Sequence, residues 1–295
     1  MHGGARFREA VLIDDAVERE LNDLSDLAPL HNSPALEALR ATRAVLTDVP
    51  QVAVFDTAFH STLPEVAFTY ALPRRFRELG IRRFGFHGLS IRWAAEQVPV
   101  RKLVVCHLGG GCSVTAVRDG RSVDTTMGFT PLEGVPMVTR SGSVDPGVLL
   151  FLLRDGHATL AELDHALEHE SGLLGLAGTG DVPSLERSDD PAARLALEIF
   201  AHHVACAVAA MATSLDGLDA LVFTAGIGER SAVVRELVCS RLGFLGIDLD
   251  PTANAAATPD AELAREGSAV RIVALRAREE LVIAREARQL LAVLR

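Results

Sequence analysis

Apolar positions along the chain follow two rhythms, and the change from one to the other marks the elements. Residues 12–27 carry a helical spacing with Asp14, Asp15 and Glu18 early in the run. Residues 34–46 carry a second, with Leu36, Leu39 and Leu46 on its stripe. Gln51-Val-Ala-Val-Phe-Asp56 is a short apolar run ending on an acid and predicts a buried strand. Arg101-Lys-Leu-Val-Val-Cys-His-Leu108 is another, closed by Gly109, Gly110 and Gly111. Ser113-Val-Thr-Ala-Val117 alternates, Asp119-Gly120 supplies a hairpin turn, and Arg121-Ser-Val-Asp-Thr-Thr126 follows. Residues 101–126 therefore predict an antiparallel meander.

Residues 146–153 and 160–169 predict helices, and 191–215 the longest one, rich in alanine. Residues 218–224 predict a strand that runs into the turn Ala-Gly-Ile-Gly-Glu229, followed by a helix over 231–241. Residues 251–268 read as loop, 269–274 as the last strand and 279–294 as the last helix. A meander combined with strand–turn–helix units predicts an α/β fold, not an all-parallel dinucleotide-binding sheet.

Composition narrows the classes. With 295 residues, 48% apolar and 23% charged, the chain can build a sizeable core and is not disordered as a whole. A net charge of −10 argues against a generally basic nucleic-acid binder. Lys102 is the only lysine, and it stands between Arg101 and Leu103, so no G-x-x-x-x-G-K-[ST] loop exists and a P-loop NTPase is excluded. Cys106, Cys112, Cys206 and Cys239 form no C-x-x-C pair, which argues against a zinc knuckle or redox dithiol. So few cysteines in so long a chain predict a reducing, cytoplasmic setting. No uninterrupted apolar run reaches 18 residues, no transmembrane helix is expected, and the first residues lack the apolar core of a signal peptide.

Several constellations can carry chemistry, each with a plainer reading beside it. In Cys106-His-Leu-Gly-Gly-Gly-Cys-Ser113, three glycines let backbone N–H groups approach an anion, and a simple glycine turn explains them equally. Phe223-Thr-Ala-Gly-Ile-Gly-Glu-Arg-Ser231 suits anion or nucleotide contact, or is ordinary strand–helix punctuation. Asp56 ends an apolar strand, where a carboxylate faces a ligand or metal unless it serves as a cap. Arg140 lies in a glycine- and serine-bearing loop that suits a bidentate contact to phosphate or carboxylate, although most of the arginines are solvated. His31, His60 and His87 are candidates to stabilise transferring charge or bind metal. His165 and His169 share a helix face without the H-E-x-x-H glutamate and read as solvated, with a zinc site the minor alternative. Glu279 and Glu280 open the last helix, where a carboxylate complements the helix dipole.

Together and in order, these segments resemble the acetate kinase family of acetate, propionate and butyrate kinases. The resemblance runs through Ala28-Pro-Leu-His-Asn32, Val54-Phe-Asp-Thr-Ala-Phe-His60, Tyr70-Ala-Leu-Pro73, Phe84-Gly-Phe-His-Gly88 and Cys106-His-Leu-Gly109. It continues through Met127-Gly-Phe-Thr-Pro-Leu-Glu-Gly134, Thr139-Arg-Ser-Gly-Ser-Val-Asp-Pro146, Glu170-Ser-Gly-Leu-Leu-Gly175, Val222-Phe-Thr-Ala-Gly-Ile-Gly-Glu229 and Glu279-Glu-Leu-Val-Ile-Ala284. It implies an actin-like ATPase (ribonuclease H-like) fold of two domains closing on a nucleotide. Residues 1–55 with 279–295 would be a remnant of an incomplete first domain, and 56–278 the nucleotide-binding second. The implied reaction moves the γ-phosphoryl of ATP to acetate or a similar short carboxylate, giving acyl phosphate and ADP.

The resemblance also implies roles. His107, Leu108, Gly109, Gly110 and Gly111 would form the phosphate hairpin. Gly226, Ile227, Gly228, Glu229 and Arg230, with Asp181, Val182 and Pro183, would touch the nucleotide. Arg140 and His87 would stabilise the transferring phosphoryl, Asp56 would assist the acceptor or the metal, Glu279 would hold Mg²⁺ through water, and His31 would sit near the cleft. The family further implies a homodimer, without nucleic acid or membrane as partner.

The chain departs from the family pattern at four local positions. Gly110 stands where the family has asparagine, and Ser143 where an aspartate follows the arginine. Pro183 replaces an arginine, and Arg276-Ala-Arg278 replaces Pro-Thr-Asn. The family's opening Asn-x-Gly-Ser-Ser-Ser-x-Lys loop and its carboxylate-binding arginine have no counterpart, and Met1 falls where valine is common. The expectation is a start codon misassigned at an internal valine codon, and poor solubility for these residues alone. Two readings stay open at this stage: a small-carboxylate kinase, and an inactive homologue acting as a nucleotide-binding or interaction module.

Overall fold

A computed structural model of the chain describes residues 1–25 and 29–293. Ala28 and the side chain of His31 lie outside the described residues, as do positions 26 and 27 of the first expected helix. What was read as the start of that helix is a strand. β1 (Val11–Leu12) pairs antiparallel with β2 (Val52–Ala53), and the helix runs only over Asp15–Asp23. Asp14 ends the strand by capping the helix, its carboxylate accepting from the amides of Ala16 and Val17. The next helix, Pro29–Val45, starts earlier than the spacing suggested and contains Pro34.

The expected meander is present as β3 (Lys102–Leu108), β4 (Cys112–Arg118) and β5 (Arg121–Thr125). With β6 (Ala220–Thr224), β7 (Ala261–Glu262) and β8 (Arg271–Ala274) it forms a six-stranded mixed sheet ordered β5-β4-β3-β6-β8-β7. β3, β6 and β8 run parallel, so their carboxyl ends open on one side.

Alternation sorts β3 onto two cores. Val104, Cys106 and Leu108 join Phe200, Val204 and Val208 of the helix Pro191–Leu215. Leu103 and Val105 join Ile91 and Ala94 of the helix Gly88–Gln97. Both faces are covered, which is why β3 and β6 read as continuous apolar runs. Pro191–Leu215 is, by length and composition, long and apolar enough to cross a membrane, which corrects the expectation from uninterrupted runs; half of that window is buried inside the protein.

A smaller core surrounds β1 and β2, built from Phe7, Leu21, Leu36, Leu39, Ala53 and Phe55. The last helix, Glu279–Val293, lies against Gly88–Gln97 through an Arg92–Glu286 ion pair and a 2.6 Å hydrogen bond from Arg285 Nη2 to Glu96 Oε2. Its Val282 packs with Val54 and Leu89.

Two further readings are corrected. The glycine stretch after β6 is not a turn but a short helix, Ala225–Arg230, followed by Ala232–Cys239. The stretch read as loop holds the helix Pro251–Ala256, capped by Asp250, and β7. Residues 160–169 are helical but change pitch, α over Leu160–His165 and π over Ala166–Glu170.

Candidate active site

Asp56, His87, His107 and Arg140 lie together around the carboxyl end of β3. Asp56 follows β2, and its carboxylate Oδ2 accepts from the His87 amide at 2.6 Å while Oδ1 accepts from the Leu89 amide at 3.4 Å. Its carbonyl accepts from the Gly88 amide at 2.8 Å. Gly88 must be glycine, because a Cβ there would lie 2.1 Å from that carbonyl oxygen. Asp56 is thus the anchor of the Gly88–Gln97 helix, in keeping with the cap-like reading of this residue. His87, at the helix N-cap, has a left-handed backbone (φ 60°), a strained conformation for a side chain of this size and frequent at functional positions.

The His87 ring is held on two sides. Its Nδ1 is 3.0 Å from Ser113 Oγ, and the ring stacks on His107. His107, the penultimate residue of β3, is buried with Nδ1 2.8 Å from Ser90 Oγ. Burial holds the His107 pKa well below the ordinary imidazole value, His87 adds to the lowering, and Asp56 opposes it.

Arg140 reaches the same point from the other side. Its loop is stitched to the segment after the change in helix pitch: Ser141 donates to the Leu167 carbonyl at 3.0 Å, and Ser171 donates to the Thr139 carbonyl at 2.9 Å. The π turn presents Glu168, whose Oε2 lies 3.1 Å from Arg140 Nε as an ion pair without a hydrogen bond. The far end of the guanidinium points at the glycine hairpin. A Cβ on Gly111 would lie 3.2 Å from His87 Nε2 and 3.3 Å from Arg140 Nη1. Within the hairpin the Gly109 amide donates to the Gly111 carbonyl at 3.0 Å, and Gly110 faces open space. Leu108 is in the main core, so only its backbone can face the cleft.

The second glycine element approaches the first. Gly109 lies beside Ala225 and Gly226: a Cβ on it would be 3.4 Å from Ala225 Cβ and 3.8 Å from the Gly226 nitrogen. Gly226 itself faces open space, while Ile227 is buried in the core. Arg235, which sequence reasoning missed, fixes this helix. It is 1% exposed and donates from Nη1 to the carbonyls of Gly228 at 3.0 Å and Glu229 at 2.9 Å. Its Nε donates to Asn254 Oδ1 at 2.7 Å. Ser231 donates to Glu186, tying this element to the helix Val182–Glu186, which Asp181 caps by accepting from the Ser184 amide at 3.1 Å. Pro183 lies in the first turn, and Val182 is turned into the core. The Arg230 side chain is exposed and, among the described residues, makes no contact that assigns it to the site.

Glu229 Oε1 accepts from the Ala277 amide at 2.8 Å, linking the glycine helix to the segment that leads to Glu279. Burial pushes the Glu279 carboxyl up to about 7, with the Asp56 and Glu280 carboxylates raising it further and the Met1 ammonium opposing. Two carboxylates that repel at half-buried positions are the donor chemistry of a hydrated divalent ion. His165 and His169 are elsewhere, their rings 5.0 Å apart on the outer face. A cavity of about 730 Å³, bounded in part by Arg8, Phe59, Arg92 and Glu286, excludes His87, Arg140 and the hairpin. Open space near the chemistry-bearing residues lies instead at Gly110 and Gly226.

Comparison with known proteins identifies the family. The profile of the Acetokinase family matches residues 1–285. The chain is 47% identical over 299 residues to acetate kinase of Gloeobacter violaceus, covering 97% of this chain and 74% of that protein. It is 44% identical over 303 residues to acetate kinase of Nostoc punctiforme, covering 99% and 75%. Among solved structures, a propionate kinase from Francisella tularensis superposes with a TM-score of 0.92 at 39% identity, covering 97% of this chain and 76% of that one. Porphyromonas gingivalis acetate kinase superposes with a TM-score of 0.91 at 35% identity, covering 98% and 76%. On this match of profile, sequence and fold, the chain belongs to the Acetokinase family.

Proposed function

We propose that the chain is a carboxylate kinase that moves the γ-phosphoryl group of ATP to acetate, giving acetyl phosphate and ADP. The observation that carries the reading is the convergence of His87 Nε2 and Arg140 Nη1 on Gly111 of the glycine hairpin. A phosphoryl group seated there would meet backbone N–H groups, a guanidinium and an imidazole without any covalent relay.

In the reaction a carboxylate oxygen of the acceptor forms a new P–O bond. The bond from the γ-phosphorus to the bridging oxygen breaks, and its electron pair leaves on ADP. Catalysis of this kind is positioning and charge stabilisation. Arg140, braced by Glu168, supplies fixed positive charge. Ser113 and the His107 ring hold His87 in orientation. The neutral, buried His107 gives stacking without adding a second charge. Glu279, with Asp56, fits Mg²⁺ held through water, which when bound would offset the charge on the phosphate oxygens. The hairpin from His107 to Gly111, the helix Ala225–Arg230 and the Asp181 cap would bound the nucleotide, with two domains closing over it.

A cytoplasmic homodimer completes the proposal, with neither nucleic acid nor membrane as partner. The helix Pro146–Arg154 exposes Val148, Leu150, Phe151 and Leu153, an apolar face suited to a second copy of the chain.

The test is to incubate the protein with ATP, Mg²⁺ and acetate and trap the acyl phosphate with hydroxylamine. Hydroxamate and ADP should form in equal amounts and only with a carboxylate present. ADP release that ignores the carboxylate would overturn the reading.

A further inference from the structure

Thr224 is the last residue of β6 and is 1% exposed. Its hydroxyl has no hydrogen-bond partner among the described residues. That is unusual, since buried hydroxyls are almost always paired. The residue also declines the obvious partner. It occupies the N-cap position of the Ala225–Arg230 helix, where threonine ordinarily accepts from an amide one turn on, yet its side chain makes no such bond. The next residue, Ala225, has a left-handed backbone at φ 64°, which a non-glycine residue adopts only when its surroundings enforce it.

Register and alternation say where this hydroxyl belongs. Thr224 is paired with His107 across β3 and β6. It follows Val222 on the face that packs against the Gly88–Gln97 helix, the face to which His107 sends its ring toward Ser90. Thr224 therefore lies beside His107 on that face. Gly109 and Gly226 approach each other without side chains, and neither Gly110 nor Gly226 has an atom within 4 Å of where a Cβ would be. A ligand seated against these glycines meets backbone amides, and an oxygen of it that reaches the end of β6 meets a buried hydroxyl with no other partner among the described residues, so it is an acceptor.

We propose that Thr224 is a binding residue for the nucleotide, its hydroxyl donating to an oxygen of the β- or γ-phosphate. The inference rests on the kinase reading given above. Its consequence is a preference confined to the polyphosphate: the hydroxyl discriminates ATP from AMP and is indifferent to the base.

The experiment compares the full chain with Thr224→Val, nearly the same shape without the hydroxyl, and Thr224→Ser, which keeps it. Calorimetry measures binding of Mg²⁺ with the non-hydrolysable β,γ-imido analogue of ATP, and of AMP. Thr224→Val should weaken the analogue about 10- to 100-fold, the worth of a hydrogen bond to a charged group. AMP binding should be unchanged, and Thr224→Ser should restore the analogue. The melting temperature without ligand should not fall in Thr224→Val, because the lost hydroxyl had no partner. Thr224→Ala provides the same comparison if the valine variant does not fold. Equal analogue binding by wild type and Thr224→Val overturns this inference alone. A wild-type chain that binds no nucleotide overturns the kinase reading and this one with it.

Discussion

The imidazole rings of His87 and His107 are stacked, with centroids 4.0 Å apart and planes 18° from parallel. Two cationic rings could not share that contact in a buried place, so the pair works with His107 neutral. That neutrality has a thermodynamic consequence. Burial likewise lowers the His60 pKa, against the Phe86 carbonyl and the Asp56 charge.

For both histidines the folded pKa is below the unfolded one. As pH falls below about 6.5, the unfolded chain takes up protons that the folded chain refuses. Their contribution to stability is complete above that pH and declines below it. The slope is about 1.4 kcal/mol per pH unit for each histidine until the folded form protonates. Urea unfolding between pH 5 and 8 checks this. His107→Gln should remove about one proton's worth of the slope, and an unchanged profile would contradict the account.

Arg140→Ala should lower kcat about 1,000-fold or more, in the range for a guanidinium that stabilises a transferring phosphoryl group. Arg140→Lys should recover little, since an ammonium cannot face both Glu168 and the hairpin. Loss of the partner of the mostly buried Glu168 should also cost about 1–2 kcal/mol after allowance for solvent screening. Steady-state kinetics with a parallel melt separates the two effects.

Gly110→Asn would place a side-chain donor at the open position of the glycine hairpin. The position has open space and no left-handed backbone requirement, so stability should change by less than about 0.5 kcal/mol. Nucleotide affinity should rise about 3- to 10-fold, the worth of one exposed hydrogen bond. Calorimetric titration with ADP reads this directly, and weaker binding would show that the hairpin contacts phosphate differently.

Arg235→Met should be the most destabilising of these changes, by about 3 kcal/mol, because it strands the carbonyls of Gly228 and Glu229 and the Asn254 side chain. Nucleotide affinity should fall with it as the glycine helix loses its anchor. Denaturant unfolding gives the first quantity and ligand titration the second.

The parts of the fold legible from sequence are those with strong local grammar. The β3–β4–β5 meander was readable because alternation and the Asp119-Gly120 turn agree. The Gly88–Gln97 helix was not. It begins at a glycine, its N-cap is a left-handed histidine without a side-chain cap bond, and the buried Leu89, Ile91 and Ala94 give no clear stripe. The Ala225–Arg230 helix hides behind two glycines and an uncapped start. Asp56, His87 and Arg140 each gave a weak local signal, and only the order of motifs joined them, since nothing local says that His87 and Arg140 will meet at Gly111. Arg235 and Glu168 gave no signal: the first is one arginine among 28, and the second is presented by a change of helix pitch that spacing does not encode.

Asp56 holds the His87 amide with its carboxylate and the Gly88 amide with its carbonyl. The residue therefore gives His87 its address as well as contributing charge to the cleft. An amide at position 56 keeps an oxygen for the first bond and loses the charge together with the long bond from the Leu89 amide, whereas alanine moves the ring. The difference between Asp56→Asn and Asp56→Ala in the same assay is the part of the activity that belongs to location rather than to electrostatics.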